Sequence, residues 1–309
     1  MDVKAFYDPG TNTLTYAVYD AASRDAIVID PVLNYDAASS ATETHSVSEV
    51  VQFIEQQGLR VRFILETHAH ADHLSGSQAL KKAFPQARLA IGANITRVQQ
   101  VFKAAFDLPQ EFETDGRQFD RLLRDGETMR AGTIAVDVLY TPGHTPACVT
   151  YKIEEMVFTG DALFMPDFGT GRCDFPAGSA RELYRSITQR LYRLPEETRV
   201  FVGHDYQPGG RELRFETTIG ESKRCNLQLP AARSEDEFVK FRTERDRTLS
   251  APKLLFQSVQ VNIDAGRLPQ ASAHNRVRYL KVPINLFRPE TDDAGVPVGP
   301  ITAEPVKRA

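Results

Sequence analysis

With 309 residues, 41% of them apolar and 25% charged, the chain has the material for a buried core in one large domain or two small ones. Lys and Arg number 37 against 41 Asp and Glu, a net charge of −4 that gives no electrostatic reason to bind nucleic acid or an anionic membrane. No apolar run approaches the roughly 18 residues of a membrane span, and Met1-Asp2-Val3-Lys4-Ala5-Phe6 lacks the pattern of a signal peptide, so a cytoplasmic protein with a small partner is expected.

The first strong element is the β-branched run at residues 24–31, read as a buried strand closed by a turn. A helix follows: Ser46 with Glu49 reads as a capping box, Val47, Val50, Val51 and Ile54 form one apolar stripe, and Gly58 ends it. The strand at residues 62–66 ends in a cluster of histidines. Further strands are expected at 134–139, 148–153, 156–159 and 199–202, several running directly into His or Asp. Strand ends are rigid platforms, and the loops leaving them carry chemistry at little cost to the core. Ser179 with Glu182 opens a second helix, with Leu183, Ile187, Leu191 and Leu194 on one face and Pro195 closing it. Two strand-rich halves with amphipathic helices point to packed sheets covered by helices.

After about residue 229 the character changes. A charged helix capped by Ser234 and Glu237, carrying Phe238 and Phe241, is followed by the stretches 252–262 and 279–287. The expected organisation is a catalytic domain at 1–229, an extension at 230–287 docked on it, and a mobile Pro-rich tail at 288–309. The extension would cover the main domain or build a homodimer interface. Cys148, Cys173 and Cys225, odd in number and widely spaced, fit neither a disulfide framework nor a Cys-rich zinc site and are expected as reduced thiols.

Five of the seven histidines fall in three motifs: His68-Ala69-His70-Ala71-Asp72-His73, His144 in Thr141-Pro142-Gly143-His144-Thr145, and His204 in Gly203-His204-Asp205-Tyr206. Asp161 in Thr159-Gly160-Asp161-Ala162 adds a carboxylate from a fourth segment. Imidazoles and carboxylates at strand ends are the ligand set of zinc or non-haem iron. Scattered, unrelated histidines would not place four liganding side chains in six residues.

These motifs, in this order and spacing over roughly residues 10–210, resemble the metallo-β-lactamase superfold. The resemblance implies an α/β architecture, an αββα sandwich with the metal site at one edge of its two sheets, here with a C-terminal extension. Fold alone does not choose a reaction. Three stretches are more specifically similar to the persulfide dioxygenases, or sulfur dioxygenases: residues 65–76, residues 141–151, and Gly160-Asp161-Ala162-Leu163-Phe164 leading into Gly171-Arg172-Cys173-Asp174-Phe175. Residues 258–262 with 280–283 look like the bacterial branch that has an extended C-terminus. That family has Gly where this chain has Ala147, and Ala would be strained if the turn needed positive φ.

What the persulfide dioxygenase resemblance implies is a single iron(II) held by His68, His144 and Asp161, a face that leaves about three coordination positions for a substrate sulfur and dioxygen. His70, Asp72, His73 and His204 would then surround the ligands and orient them. The implied substrates are glutathione persulfide, O2 and water, giving sulfite and glutathione. Tyr206 is a candidate hydrogen-bond donor near the metal, a structural tyrosine being the other reading. Glutathione carries carboxylates, so Arg172 and Arg214, which follow site motifs, are candidates for substrate contact; Arg172 has a structural alternative in pairing with Asp174. Cys173 is a candidate for oxidation, although packing is the commoner role of an unpaired Cys.

The main rival is a two-zinc hydrolase resembling glyoxalase II. There His68, His70 and His144 would hold one zinc, Asp72, His73 and His204 the other, and Asp161 would bridge them, with a bridging hydroxide attacking a glutathione thioester. Against it stand Pro146-Ala147-Cys148, where such hydrolases carry a His, and the stretch Arg172-Cys173-Asp174-Phe175, which is not theirs. A flavodiiron-like pattern needs a Glu inside the first cluster, and a non-enzymatic metal module would lack ligands; neither holds here.

Overall fold

In the computed structural model, which describes residues 1–286, the first half contributes β1 (Asp2–Asp8), β2 (Thr13–Tyr19), β3 (Asp25–Ile29), β4 (Val32–Asp36), β5 (Ala41–Glu43) and α1 (His45–Gln56). Then come β6 (Arg60–Glu66), β7 (Leu74–Ser75), α2 (Ser77–Ala83), β8 (Arg88–Gly92), α3 (Ile95–Ala105) and β9 (Arg121–Leu123). The second half adds β10 (Thr128–Ala131), β11 (Ile134–Tyr140), β12 (Val149–Ile153), β13 (Met156–Phe158), α4 (Ala180–Gln189), β14 (Arg199–Phe201), β15 (Glu216–Thr218) and α5 (Ile219–Cys225). Two helices follow, α6 (Glu235–Asp246) and α7 (Leu255–Asn262). The tail expected at 288–309, and the last residue of the stretch 279–287, lie outside the described residues.

Two six-stranded sheets form the body, ordered β1-β2-β3-β6-β8-β9 and β10-β11-β12-β13-β14-β15, beside a small sheet β5-β4-β7. The two-residue period of a strand sorts the side chains of β3. Ile27 and Ile29 face the core between the sheets with Leu14, Val136, Val138 and Tyr151, whereas Ala26 and Val28 face the helix layer with Val50, Ile54, Val98 and Phe102. On the second sheet α4 buries Leu183 and Ile187. The result is the expected αββα sandwich. Parallel pairing of β3 with β6 and of β13 with β14 brings the C-terminal ends of these strands to one edge, where the loops that carry the motifs leave. The loop after β14 is tied to the first sheet through the backbone bond from Leu14 N to Gly203 O, 2.9 Å.

Two local expectations are corrected. Ser46 does not cap α1: the N-cap is Thr44, with no side-chain cap. The Ser46 hydroxyl instead donates to Asp8 Oδ1 (3.1 Å) and accepts from Asn34 (2.9 Å), so a tertiary contact takes the side chain that the pattern assigned to a cap. The second helix stops at Gln189, and Leu191 lies in a separate 3₁₀ turn. The Ser234–Glu237 box forms in both directions. Ala147 is buried and its φ is not positive, so it fits without strain. Among the described residues no helix is long and apolar enough to cross a membrane.

Candidate metal centre

The centre is built from the loops that leave five strands, β3, β6, β11, β13 and β14. Beyond β3, Asp30 receives both the backbone N–H and the hydroxyl of Thr67, each at 2.7 Å, which locks the start of the histidine loop to the end of the neighbouring strand. Beyond β13, Gly160 has φ +48°, and a Cβ there would lie 2.5 Å from Thr67 Oγ1. Only glycine lets the turn carrying Asp161 close onto the loop carrying His68.

The ligand atoms of His68, His144 and Asp161 lie within 4.8 Å of one another, and so do those of His70, Asp72 and His73. The rings of His68 and His144 are 5.0 Å apart and those of His70 and His73 are 4.2 Å apart. Asp161 Oδ2 is 3.5 Å from His144 Nε2 and its Oδ1 is 3.2 Å from His204 Nε2, which in turn lies 3.5 Å from Asp72 Oδ2.

Hydrogen bonds behind the rings decide which nitrogen faces inward. Thr67 spends its proton on Asp30, so its oxygen accepts from His68 Nδ1 at 3.0 Å and leaves His68 Nε2 bare. His144 Nδ1 donates to the Arg172 carbonyl at 2.7 Å, and His204 Nδ1 donates to the Asn12 carbonyl at 3.3 Å. His73 Nδ1 donates to Asp72 at 3.3 Å. Among the described residues, the buried atoms His68 Nε2, His70 Nδ1, His73 Nε2, His204 Nε2 and Asp161 Oδ1 have no hydrogen bond. Buried polar atoms are rarely left so, and several converging on one place are what a metal cation satisfies. The donor set therefore fits a metal: it is rich in imidazole, as suits zinc or non-haem iron.

The electrostatics agree. Burial, with the neighbouring His70, holds His68 well below its ordinary range, hence neutral and ready to ligate. Burial acts against the charge of Asp161, but the imidazoles of His204, His144 and His68 outweigh it and keep the carboxyl ionised. Burial likewise opposes charge on His204, yet Asp161 and Asp72 push it up to about 9. The carboxylates demand positive charge, which a proton on His204 or a metal cation can supply.

The other expected residues fall at different distances from this role. The Tyr206 ring stacks on His204 at 5.5 Å and on Phe168 at 4.6 Å and is 40% exposed, so it lies at the surface beside the centre rather than in the core. Arg172 spends three of its five guanidinium donors on its surroundings, with two bonds of 2.6 Å to Asp174 and one of 2.7 Å to the Ser250 carbonyl. Arg214 is half exposed and lies 3.7 Å from Glu221, its backbone N–H bonding Asp205 at 2.7 Å. Cys148 and Cys173 are buried, Cys225 is exposed, and none is paired. Burial pushes the Cys173 thiol far up, so it lacks the thiolate character that oxidation requires.

Several residues of the centre escaped the sequence. Asp30 and Glu66 flank His70, at 3.1 and 3.6 Å from its Nε2. Arg211 braces Asp205, next to His204, through two bonds of 2.7 Å. Asp246, in α6, accepts from Cys173 N at 2.7 Å and so steadies the segment whose Arg172 carbonyl orients His144. Asp30 and Glu66 carried a signal, each as an acidic residue at or near the end of an expected strand; Arg211 and Asp246 carried none.

This architecture and this cluster define a metallo-β-lactamase-type metalloprotein. The chain belongs to the metallo-beta-lactamase superfamily, whose sequence profile matches residues 9–204. It is 46% identical to a probable metallo-hydrolase of Burkholderia pseudomallei, over 92% of this chain and 99% of that protein. With the glyoxylase B2 of Dictyostelium discoideum it shares 44%, over 93% and 98%. It is 31% identical to the mitochondrial persulfide dioxygenase ETHE1 of Homo sapiens, over 85% and 88%. The crystal structure of ETHE1 from Myxococcus xanthus superposes with a TM-score of 0.69 at 32% identity, covering 86% of this chain and 100% of that one.

Proposed function

We propose that this protein is an iron(II)-dependent persulfide dioxygenase, converting glutathione persulfide, O2 and water to glutathione and sulfite. The observation that carries the reading is the trio His68, His144 and Asp161, two imidazoles and a carboxylate with ligand atoms within 4.8 Å of one another. Such a face suits an oxygenase because it leaves positions for two small reactants. The likeness to persulfide dioxygenases of both sequence and structure supports it.

In this reading His68, His144 and Asp161 would hold the iron, which would supply the activation of dioxygen for oxidation of the persulfide sulfur. The protein does the rest. Thr67 and the Arg172 carbonyl hold two ligand rings in the required tautomer. Tyr206 and Phe168 form an aromatic wall against which the substrate stem can pack, and the Tyr206 hydroxyl is within the field of Asp161, Asp72 and Arg172. Arg214 is the more available of the two expected guanidinium groups for a glutathione carboxylate, since Arg172 is engaged.

A second reading rests on its own observation. Asp72 lies 3.3 Å from His73 Nδ1 and 3.5 Å from His204 Nε2, and Asp161 lies 3.2 Å from His204 Nε2 and 3.5 Å from His144 Nε2, so the second ligand trio and the carboxylate between the two sets that a two-zinc hydrolase of glutathione thioesters would need are close together. The glyoxylase and metallo-hydrolase names of relatives at 44–46% identity favour it. Metal analysis with an oxygen electrode separates the two. The dioxygenase should contain one iron per chain and consume O2 when glutathione persulfide is added. Two zincs per chain, no oxygen uptake and turnover of a glutathione thioester would overturn it.

A further inference from the structure

We infer that Asn262, in the C-terminal helix α7, is a positioning residue of the metal centre, its carboxamide fixing the loop that carries His68, His70 and His73. The loop has little to hold itself with. Apart from strand pairing, the only hydrogen bonds made to the backbone of residues 68–73 among the described residues are the two from Asn262 Nδ2, to the carbonyls of His70 (2.9 Å) and His73 (2.8 Å). The amide oxygen accepts from Ser75 N at 2.8 Å. Both donors and the acceptor of one buried side chain are thus spent on eight residues of chain that bear four candidate ligands.

Asn262 is itself firmly seated. Val259 and Leu255 of the same helix join the apolar layer with Phe102 and Ile95. Beyond the helix end, the Ile263 carbonyl accepts from Gln99 (2.9 Å) and the Ala265 carbonyl from Gln78 (2.7 Å), so α3 and α2 clamp the turn that follows. A rigid donor pair placed on a loop whose backbone makes no other hydrogen bond among the described residues, strand pairing apart, sets where its imidazoles point. Partners behind a ligand govern metal affinity as the ligands do.

The inference rests on residues 68–73 being metal-binding and is indifferent to the reaction. Its test uses the full chain loaded with Co(II), read by the visible spectrum and by the rate of release to a chelator. Asn262→Ala should shift the ligand-field bands and speed release about 10- to 100-fold. Val259→Ala, which removes apolar packing from the same helix and no bond to the loop, should lower thermal stability and leave spectrum and release unchanged. An unchanged spectrum and release in Asn262→Ala, or equal losses in Val259→Ala, would overturn the inference. Failure of the unaltered protein to bind Co(II) would instead overturn the metal reading itself. If Asn262→Ala does not fold, amide hydrogen exchange of the unaltered protein decides: the Ser75 N–H should exchange in step with the amides of α7, and independent, fast exchange would overturn the inference.

Discussion

Four of the five imidazoles of the centre answer to the atom behind them. Thr67, Asp72, Asn12 and Arg172 supply oxygens to the Nδ1 atoms of His68, His73, His204 and His144, so the Nε2 atoms face one another across the site. Arg172 shows how a residue can matter through its backbone: its carbonyl orients a ligand while its guanidinium is bound to Asp174 and to Ser250. Arg172→Lys should therefore lower stability by about 1 kcal/mol, the bidentate geometry being beyond an ammonium, and leave KM within about twofold. Urea denaturation and substrate saturation curves check this. A tenfold rise in KM at unchanged stability would return Arg172 to the substrate.

At the level of elements, the site depends on loops pressed together at the edge of two sheets. Gly171 sits where a Cβ would come 2.0 Å from the Asp161 carbonyl, a backbone atom that cannot swing aside. Gly171→Ala should push the segment 170–174 off the Asp161 turn, destabilising the protein by roughly 1–3 kcal/mol, as overpacking does. It should also reduce bound metal, because the Arg172 carbonyl that orients His144 moves with it. Elemental analysis of the purified variant reads the second effect; full metal content would show that the segment does not position the ligand. The strands that carry the motifs, β3, β6 and β11 to β14, were legible as short strands, β3 as a β-branched run, each within about two residues. The helix α3 was not: it has neither a side-chain cap nor a motif, and its amphipathic face has meaning only against Phe175 and α7. The Ser46 cap failed because Asp8 and Asn34, 38 and 12 residues away, compete for the same hydroxyl.

Over the whole molecule, stability and metal binding are linked through charge. His204 is raised from its ordinary 6.5 to about 9 by Asp161 and Asp72 against the cost of burial. A raised pKa contributes stability that is complete below the unfolded value and lost as pH climbs through the folded one. Asp161, held down, contributes above its ordinary 3.8 and loses that contribution on acidification. Because His68 is held low and costs stability as pH falls below its ordinary 6.5, the chelator-treated protein should be most stable near pH 6.5, with melting temperature falling as pH rises from there through 9. Added metal should abolish the fall, since the cation takes over the proton's role. Thermal melts over that range, with and without metal, test it; a chelator-treated protein whose stability is flat from pH 6.5 to 9 would contradict the charge balance.

The sequence by itself determined the architecture and pointed to the ligand-type side chains that gather at the centre, because ligand types and strand patterns are local and four side chains of the right chemistry in six residues have few other meanings. Only the tertiary structure decided what holds those ligands in place. Asp30, Glu66, Asp246 and Asn262 are ordinary residues in the chain. They reach the centre through parallel pairing of distant strands and through helices that fold back over it, and contacts that span up to 192 residues leave no spacing to read.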